Sequence, residues 1–237
     1  MLLLVSVAGA LEARAAVAGG ADVVDAKDPH RGSLGAVPSR TLRAICDTVG
    51  RRRPTSAALG DPADPAGAAL AARMARDADV SYVKMGFRGA PSSTQVRRLA
   101  AAARGAAGAG LILVAYADWK QVGAPEPACV LDAAVAVRAV GVLIDTVIKG
   151  PTLFDYLSWN GVFQWVGLVR RAGLLAAVAG SLGPRELLGA REAGADIVGV
   201  RGSACDGGRV GRVSRTRVAV LSAIVSGARP ASIGAPV

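Results

Sequence analysis

Short apolar runs alternate along this chain with longer stretches of helical period rich in Ala, Leu and Arg. The runs predict eight strands, over residues 2–6, 22–26, 55–59, 80–85, 111–116, 141–145, 174–178 and 196–200. Each is followed by a segment whose apolar positions recur every three or four residues. These segments predict helices over 9–18, from Ser39 as N-cap, over 65–77 and 93–107, past Pro125 to about 138, then over 154–171, 184–193 and 214–225. Consecutive strand–helix units imply parallel strands joined by right-handed crossovers, and eight of them point to a closed (β/α)8 TIM barrel, an α/β fold. An open doubly wound sheet is the competing topology. The barrel is expected to fill residues 1–226 as one catalytic domain, with 227–237 as an irregular C-terminal tail.

Composition narrows the function. Of 237 residues 52% are hydrophobic, enough for a large core, while only 4% are aromatic. The formal charge of +10 invites a nucleic-acid reading, but the arginines are scattered through most of the helical segments. Only Arg51, Arg52 and Arg53 form a run, and no aromatic residue is interleaved with it. A basic surface that attracts phosphorylated metabolites fits better, and no nucleic-acid partner is expected. The apolar start at 2–5 is interrupted by Glu12 and Arg14, too early for a signal sequence or a membrane span. A soluble, cytoplasmic protein with no membrane partner is expected. Three widely spaced cysteines without a CxxC pair fit a reducing compartment, and the single histidine, His30, cannot by itself build a histidine metal site. No metal and no organic cofactor is expected; a homo-oligomer stays open.

The lysines say more than the net charge. Arg serves at 24 positions and Lys at four: Lys27, Lys84, Lys120 and Lys149. A guanidinium does not lose its proton to become a nucleophile, whereas a buried lysine does. In a barrel of this kind the active site lies at the carboxyl ends of the strands. Strand two ends in Asp25 and Lys27, whose spacing of two puts both on one face and reads as a carboxylate–lysine pair. Strand four ends in Lys84, strand five leads to Asp118, and strand six gives Asp145 with Lys149 after it. Three of the four lysines therefore fall at one mouth. The loops after strands seven and eight, with Gly180 and Ser181, and with Arg201, Gly202 and Ser203, are built of small residues that let a backbone approach a phosphate. From the residues alone the chain reads as a phosphosugar enzyme with a lysine Schiff base, in which one lysine attacks a carbonyl and a second group moves the acidified proton. A class I aldolase-like enzyme on another phosphosugar and a non-catalytic basic module for phosphate or nucleic acid are the competing readings.

At these residues the sequence resembles a known family. Asp22-Val23-Val24-Asp25-Ala26-Lys27-Asp28-Pro29 with Gly32-Ser33-Leu34-Gly35-Ala36 is similar to the opening motif of the (5-formylfuran-3-yl)methyl phosphate synthases of methanofuran biosynthesis. Leu59-Gly60-Asp61, Tyr82-Val83-Lys84-Met85-Gly86, Ala115-Tyr116-Ala117-Asp118 and Val122-Gly123-Ala124-Pro125-Glu126-Pro127 follow the same pattern. So do Leu143-Ile144-Asp145-Thr146-Val147-Ile148-Lys149, Ala179-Gly180-Ser181-Leu182 and the block from Asp196 to Cys205. The resemblance implies a lyase that condenses two molecules of glyceraldehyde 3-phosphate into 4-(hydroxymethyl)-2-furancarboxaldehyde phosphate with loss of phosphate and water. It implies Lys27 as the Schiff-base lysine, Lys84 as proton acceptor and donor, and Asp25, Asp145 and Lys149 as supporting charges. The Gly180, Ser181 and Arg201, Gly202, Ser203 loops would hold a substrate phosphate. Asp28 and Ser203 depart from the pattern, standing where Asn and Ala are expected. The Arg- and Ala-rich composition resembles that of a high-GC bacterium, whose product would feed a methanofuran-like cofactor of one-carbon metabolism.

Overall fold

The computed structural model describes residues 1–90, 92–108 and 110–227. Eight strands, β1 (Leu2–Val7), β2 (Val23–Ala26), β3 (Thr55–Ala58), β4 (Tyr82–Met85), β5 (Gly110–Tyr116), β6 (Gly141–Asp145), β7 (Leu175–Val178) and β8 (Ile197–Val200), pair in parallel in chain order. The sheet closes when β8 pairs with β1, Leu2 opposite Ile197 and Val5 opposite Val200. The barrel is therefore closed, and the open sheet is set aside. Most of the expected tail, 228–237, lies outside the described residues.

Why the strands read as continuous apolar runs is plain from their two faces. Outward side chains such as Leu3, Val5, Val24, Val83, Met85, Leu113, Ile144, Val178 and Val198 pack in the main core against the helices. Inward ones, Leu4, Val23, Ile112, Leu143, Ala177 and Ile197, form a second apolar cluster that plugs the barrel. Both faces are buried, so the charged residues of the strands are confined to the last inward positions. There the plug gives way to Ser6, Asp25, Ser56, Lys84 and Asp145, all buried. The plug is thus the floor of whatever lies at the carboxyl ends.

The helices are α1 (Ala10–Ala18), α2 (Ser39–Val49), α3 (Pro65–Arg76), α4 (Ser93–Ala107), α5 (Trp119–Val122), α6 (Pro127–Ala136), α7 (Leu153–Tyr156), α8 (Trp159–Arg171), α9 (Pro184–Glu192) and α10 (Arg215–Ser226). Their alanines bury against the strands and let them pack closely. Caps fix the starts: Asp64 accepts from Gly67 N at 2.8 Å, and Ser92 from Gln95 N at 3.3 Å. Three expectations are corrected here. Ser39 is the first helical residue and makes no capping bond; Pro38, with its fixed φ, stands at the N-cap. The helix expected over 154–171 is two helices, because Ser158 leaves the helical conformation and caps α8 through Gly161 N at 3.1 Å. A short antiparallel hairpin, β9 (Cys205–Asp206) with β10 (Arg212–Val213), stands where a simple loop was expected after β8. Among the described residues no helix is long and apolar enough to cross a membrane.

Candidate active site

At the carboxyl ends of the strands a cavity of about 320 Å³ opens above the plug. Lys27, Lys84, Asp145 and Lys149 line one side, and Gly180, Ser181, Leu182, Gly202 and Ser203 the other. Leu4, Ile112, Leu143, Ala177 and Ile197 form its floor. Apart from Asp25, which lies just behind the wall, and Asp118, which lies outside it, every sequence-predicted site residue lines this one cavity.

The charged side is an ordered set of pairs. Asp25 is fully buried on β2 and accepts from Ser6 Oγ at 2.8 Å, Ser56 Oγ at 2.7 Å and Lys84 Nζ at 2.7 Å. The expected partner was Lys27, two residues along the same strand. Such residues share a face but stand roughly 6–7 Å apart along it, whereas Lys84 reaches Asp25 from the neighbouring wall. Burial pushes the Asp25 carboxyl up, but the ammonium groups of Lys84 and Lys27 and the bonds from Lys84 and Ser56 outweigh it and hold the carboxyl below its ordinary value. Asp145 is the second buried carboxylate. It accepts from Thr146 N at 2.7 Å and Lys149 Nζ at 3.2 Å. Burial raises it, and Lys149, Lys27 and the Thr146 amide more than reverse that shift. Lys149 also bonds the Thr146 carbonyl. Asp118 lies outside the cavity but accepts from Val147 N and Ile148 N, and so holds the loop that presents Lys149.

Lys27 differs from its neighbours. Its backbone N–H bonds Val7 O at 2.9 Å, which continues the β2 register and turns its side chain inward. Among the described residues its amine makes no hydrogen bond and no ion pair. Burial and the charges of Lys84 and Lys149 lower its pKa to about 8, against the opposing pull of Asp145 and Asp25. Roughly a tenth of the Lys27 side chains are then neutral at pH 7, about three hundred times more than for an ordinary lysine. An unpaired, partly neutral amine in a cavity is the arrangement a nucleophilic lysine needs.

The opposite side carries no carboxylate. Gly180 has φ +117 and Ser181 φ +52, so two successive residues hold the left-handed region and turn the chain tightly before α9. A Cβ at Gly180 would press to 3.2 Å on Leu153 and Thr146. Among the described residues the N–H groups of Ser181, Leu182, Gly202 and Ser203 have no acceptor, and the buried Ser203 Oγ has no partner either. Unused donors gathered at one end of a cavity can bind an anion. Arg201 is the exception among the sequence-predicted residues. Its five N–H groups go to Arg209 O, Ser6 O, Gly211 O and both oxygens of Glu12, at 2.7–3.3 Å. All five are used within the protein, so Arg201 holds the wall in place.

Sequence reasoning missed Arg209, which also lines the cavity. The signal was present: Gly207-Gly208 ahead of Arg209 is a hairpin-turn pair, and the side chain at such a tip is displayed. His30 is exposed, and Lys120 stacks on Trp119 with its amine 5.3 Å from the ring centre. Neither lines the cavity. Among the described residues no three His, Cys, Asp or Glu side chains are grouped to hold a metal ion.

Comparison with known proteins bears on the fold and on the family. In fold the chain is similar to phosphoribosylanthranilate isomerase of Thermotoga maritima, with a TM-score of 0.63 at 12% identity, covering 96% of this chain and 99% of that one. It is equally similar to orotidine 5'-phosphate decarboxylase of Pyrococcus horikoshii, with a TM-score of 0.63 at 14% identity over 95% and 100%. In sequence it is 36% identical over 233 residues to the (5-formylfuran-3-yl)methyl phosphate synthase of Methanothermobacter thermautotrophicus, covering 95% of this chain and 99% of the relative. The enzyme of that name from Methanocaldococcus jannaschii is 37% identical over 230 residues, covering 93% and 98%. The 4-HFC-P synthase family model matches residues 3–222, and the chain belongs to that family.

Proposed function

We propose that this protein is a (5-formylfuran-3-yl)methyl phosphate synthase, a carbon–oxygen lyase that joins two molecules of glyceraldehyde 3-phosphate through a Schiff base on Lys27. One phosphate and two waters leave, which balances the six-carbon product. The observation that carries the reading is the lone Lys27 amine, with a pKa of about 8, in a cavity whose other lysines are already paired.

The neutral Lys27 Nζ attacks an aldehyde carbon, and loss of water leaves an iminium. The iminium draws electrons from the adjacent C–H bond. Lys84, on the same wall, gives its ammonium proton to the water that leaves, and its neutral amine, held by Asp25, then takes the proton from that carbon. The resulting enamine carbon attacks the second aldehyde. Departure of phosphate and two waters closes and aromatises the ring, and hydrolysis, which takes back the water lost at imine formation, frees Lys27. Lys149 pairs with Asp145, and its charge opposes the pull of that carboxylate toward the protonated form of Lys27. The glycine-rich end holds the retained phosphate by N–H groups and Ser203 Oγ. Backbone donors suit this task because they are fixed before binding and carry no charge to neutralise a nearby amine.

The test is direct. Purified protein is incubated with glyceraldehyde 3-phosphate while furan absorbance and released phosphate are followed together. One phosphate released per furan formed is the expected result. Consumption of substrate without a furan points to an aldolase-type enzyme and overturns the assignment.

A further inference from the structure

A charge count around the cavity leaves one residue over. Lys84 is paired with Asp25, Lys149 with Asp145 and Arg201 with Glu12. Lys27 is unpaired, but it has to shed its proton to react, so it offers no lasting charge. Arg209 remains, and among the described residues it is the one lining cation that keeps its charge and has no carboxylate bonded to it. Burial lowers its pKa from the ordinary guanidinium value while the charge of Asp145 opposes that shift, so the group senses the active-site carboxylate.

The fold goes to some length to place this side chain. The tip of the β9–β10 hairpin closes only with glycines: Gly207 and Gly208 have φ +81 and +76, and a Cβ at Gly211 would lie 1.8 Å from Asp206 O. Arg201 props the tip from below through Arg209 O at 2.9 Å and Gly211 O at 3.1 Å. From there the Arg209 side chain runs over β1 to the loop that follows Lys27. Its Nη1 donates to Pro29 O at 2.6 Å and its Nη2 to Gly32 O at 2.7 Å. Nε makes no hydrogen bond among the described residues. The Arg209 backbone packs beside Gly202 of the β8 loop, and its guanidinium reaches from there to the loop after β2, two strands round the barrel.

We propose that Arg209 marks a second phosphate subsite, at the rim above β1 and β2, which takes the phosphate of the second aldehyde. This rests on the synthase reading, which brings two phosphate dianions into one cavity. The N–H end supplies donors but no net charge, so a second dianion needs a counter-charge, and it needs distance from the first. A guanidinium supplies that charge without a proton to lose, and its fork offers donors to phosphate oxygens. The rim subsite is open to solvent, since His30, Arg31 and Gly32 beside it are exposed. The phosphate bound there is the one that leaves: as the neighbouring carbon loses a proton and its electron pair forms a C=C bond, the C–O bond breaks with its pair going to the phosphate oxygen, which takes up a proton, and the dianion exits to solvent.

The experiment uses sn-glycerol 3-phosphate, which has no carbonyl and forms no imine. Calorimetric titration of the intact protein is expected to show two sites. Arg209→Met should leave one, and Arg209→Lys should retain two with the second weakened about tenfold. Ser203→Ala should weaken the other site. One site in the unaltered protein, or two undiminished sites in a folded Arg209→Met variant, overturns the subsite. If glycerol 3-phosphate fills two sites and Arg209→Met removes one while no furan forms from glyceraldehyde 3-phosphate, the subsite stands and the synthase reading falls.

Discussion

From β2 round to β6 the mouth of this barrel is lined by Lys27, Lys84, Asp145 and Lys149, with Asp25 just behind; from β7 to β8 it is lined by Ala179, Gly180, Ser181, Gly199, Gly202 and Ser203. The two walls face the same cavity and are built on the same alternation of strand and helix. One presents side chains whose charges are matched in pairs, and the other presents backbone. Charged side chains can change protonation state, so they suit chemistry, but each must be compensated when buried. Backbone N–H groups never change state and suit holding. The contrast predicts that substitutions on the first wall act on turnover and on stability, whereas those on the second act on substrate affinity.

The largest effect is expected at Lys27. Lys27→Arg keeps charge and approximate size but no nucleophile, and turnover should fall by more than about a thousandfold with the melting temperature little changed. Substantial remaining turnover would break the division between the walls. Next come the partners of the buried pair. Asp25→Asn leaves the Lys84 ammonium uncompensated and should destabilise the fold by about 3–5 kcal/mol, measured by denaturant unfolding. Lys84→Arg preserves the charge; an imine should still form on Lys27 while furan production drops roughly 10²–10⁴-fold. If Lys84→Arg instead prevents the imine, the roles of the two lysines are exchanged.

On the other wall Gly180→Ala must force a Cβ into a φ of +117 and against Leu153 and Thr146. It should raise KM about tenfold, with about 1–3 kcal/mol lost in stability. A fall in kcat at unchanged KM would contradict a holding role. The pH profile sharpens the first wall further. Because Lys27 is depressed to about 8, its neutral fraction falls tenfold per pH unit below that value and levels off above it. The rate of imine formation should follow, half-maximal near pH 8; a midpoint near 10.5 would mean an ordinary lysine. The smallest effect is expected from Ser203→Ala, a roughly three- to tenfold rise in KM with kcat unchanged, since one neutral donor is lost.

Much of this was legible in the sequence because a parallel barrel buries both faces of each strand. Apolar runs such as Leu111 to Tyr116 and Leu143 to Asp145 then mark strands without ambiguity, and the first charged inward residue marks the mouth. Lysine scarcity picked out Lys27, Lys84 and Lys149 for the same reason. The parts that escaped are those set by contacts distant in sequence. Asp25 reads as the partner of Lys27 along its strand, and only closure of the barrel brings Lys84 to it. Arg201 in a glycine loop reads as a phosphate ligand until Glu12, 189 residues earlier, takes its fork. The β9–β10 hairpin has strands of two residues, too short to show a period, and so Arg209 was passed over. The break between α7 and α8 was hidden by apolar residues on both sides of Ser158.

The central claim is that the lone amine of Lys27 is the nucleophile. The most direct measurement is reduction of the reacting protein with borohydride in the presence of glyceraldehyde 3-phosphate, followed by peptide mapping. The account predicts one stable adduct, on Lys27, with Lys84 and Lys149 unmodified. An adduct on Lys84 or Lys149, or none while furan still forms, would contradict it.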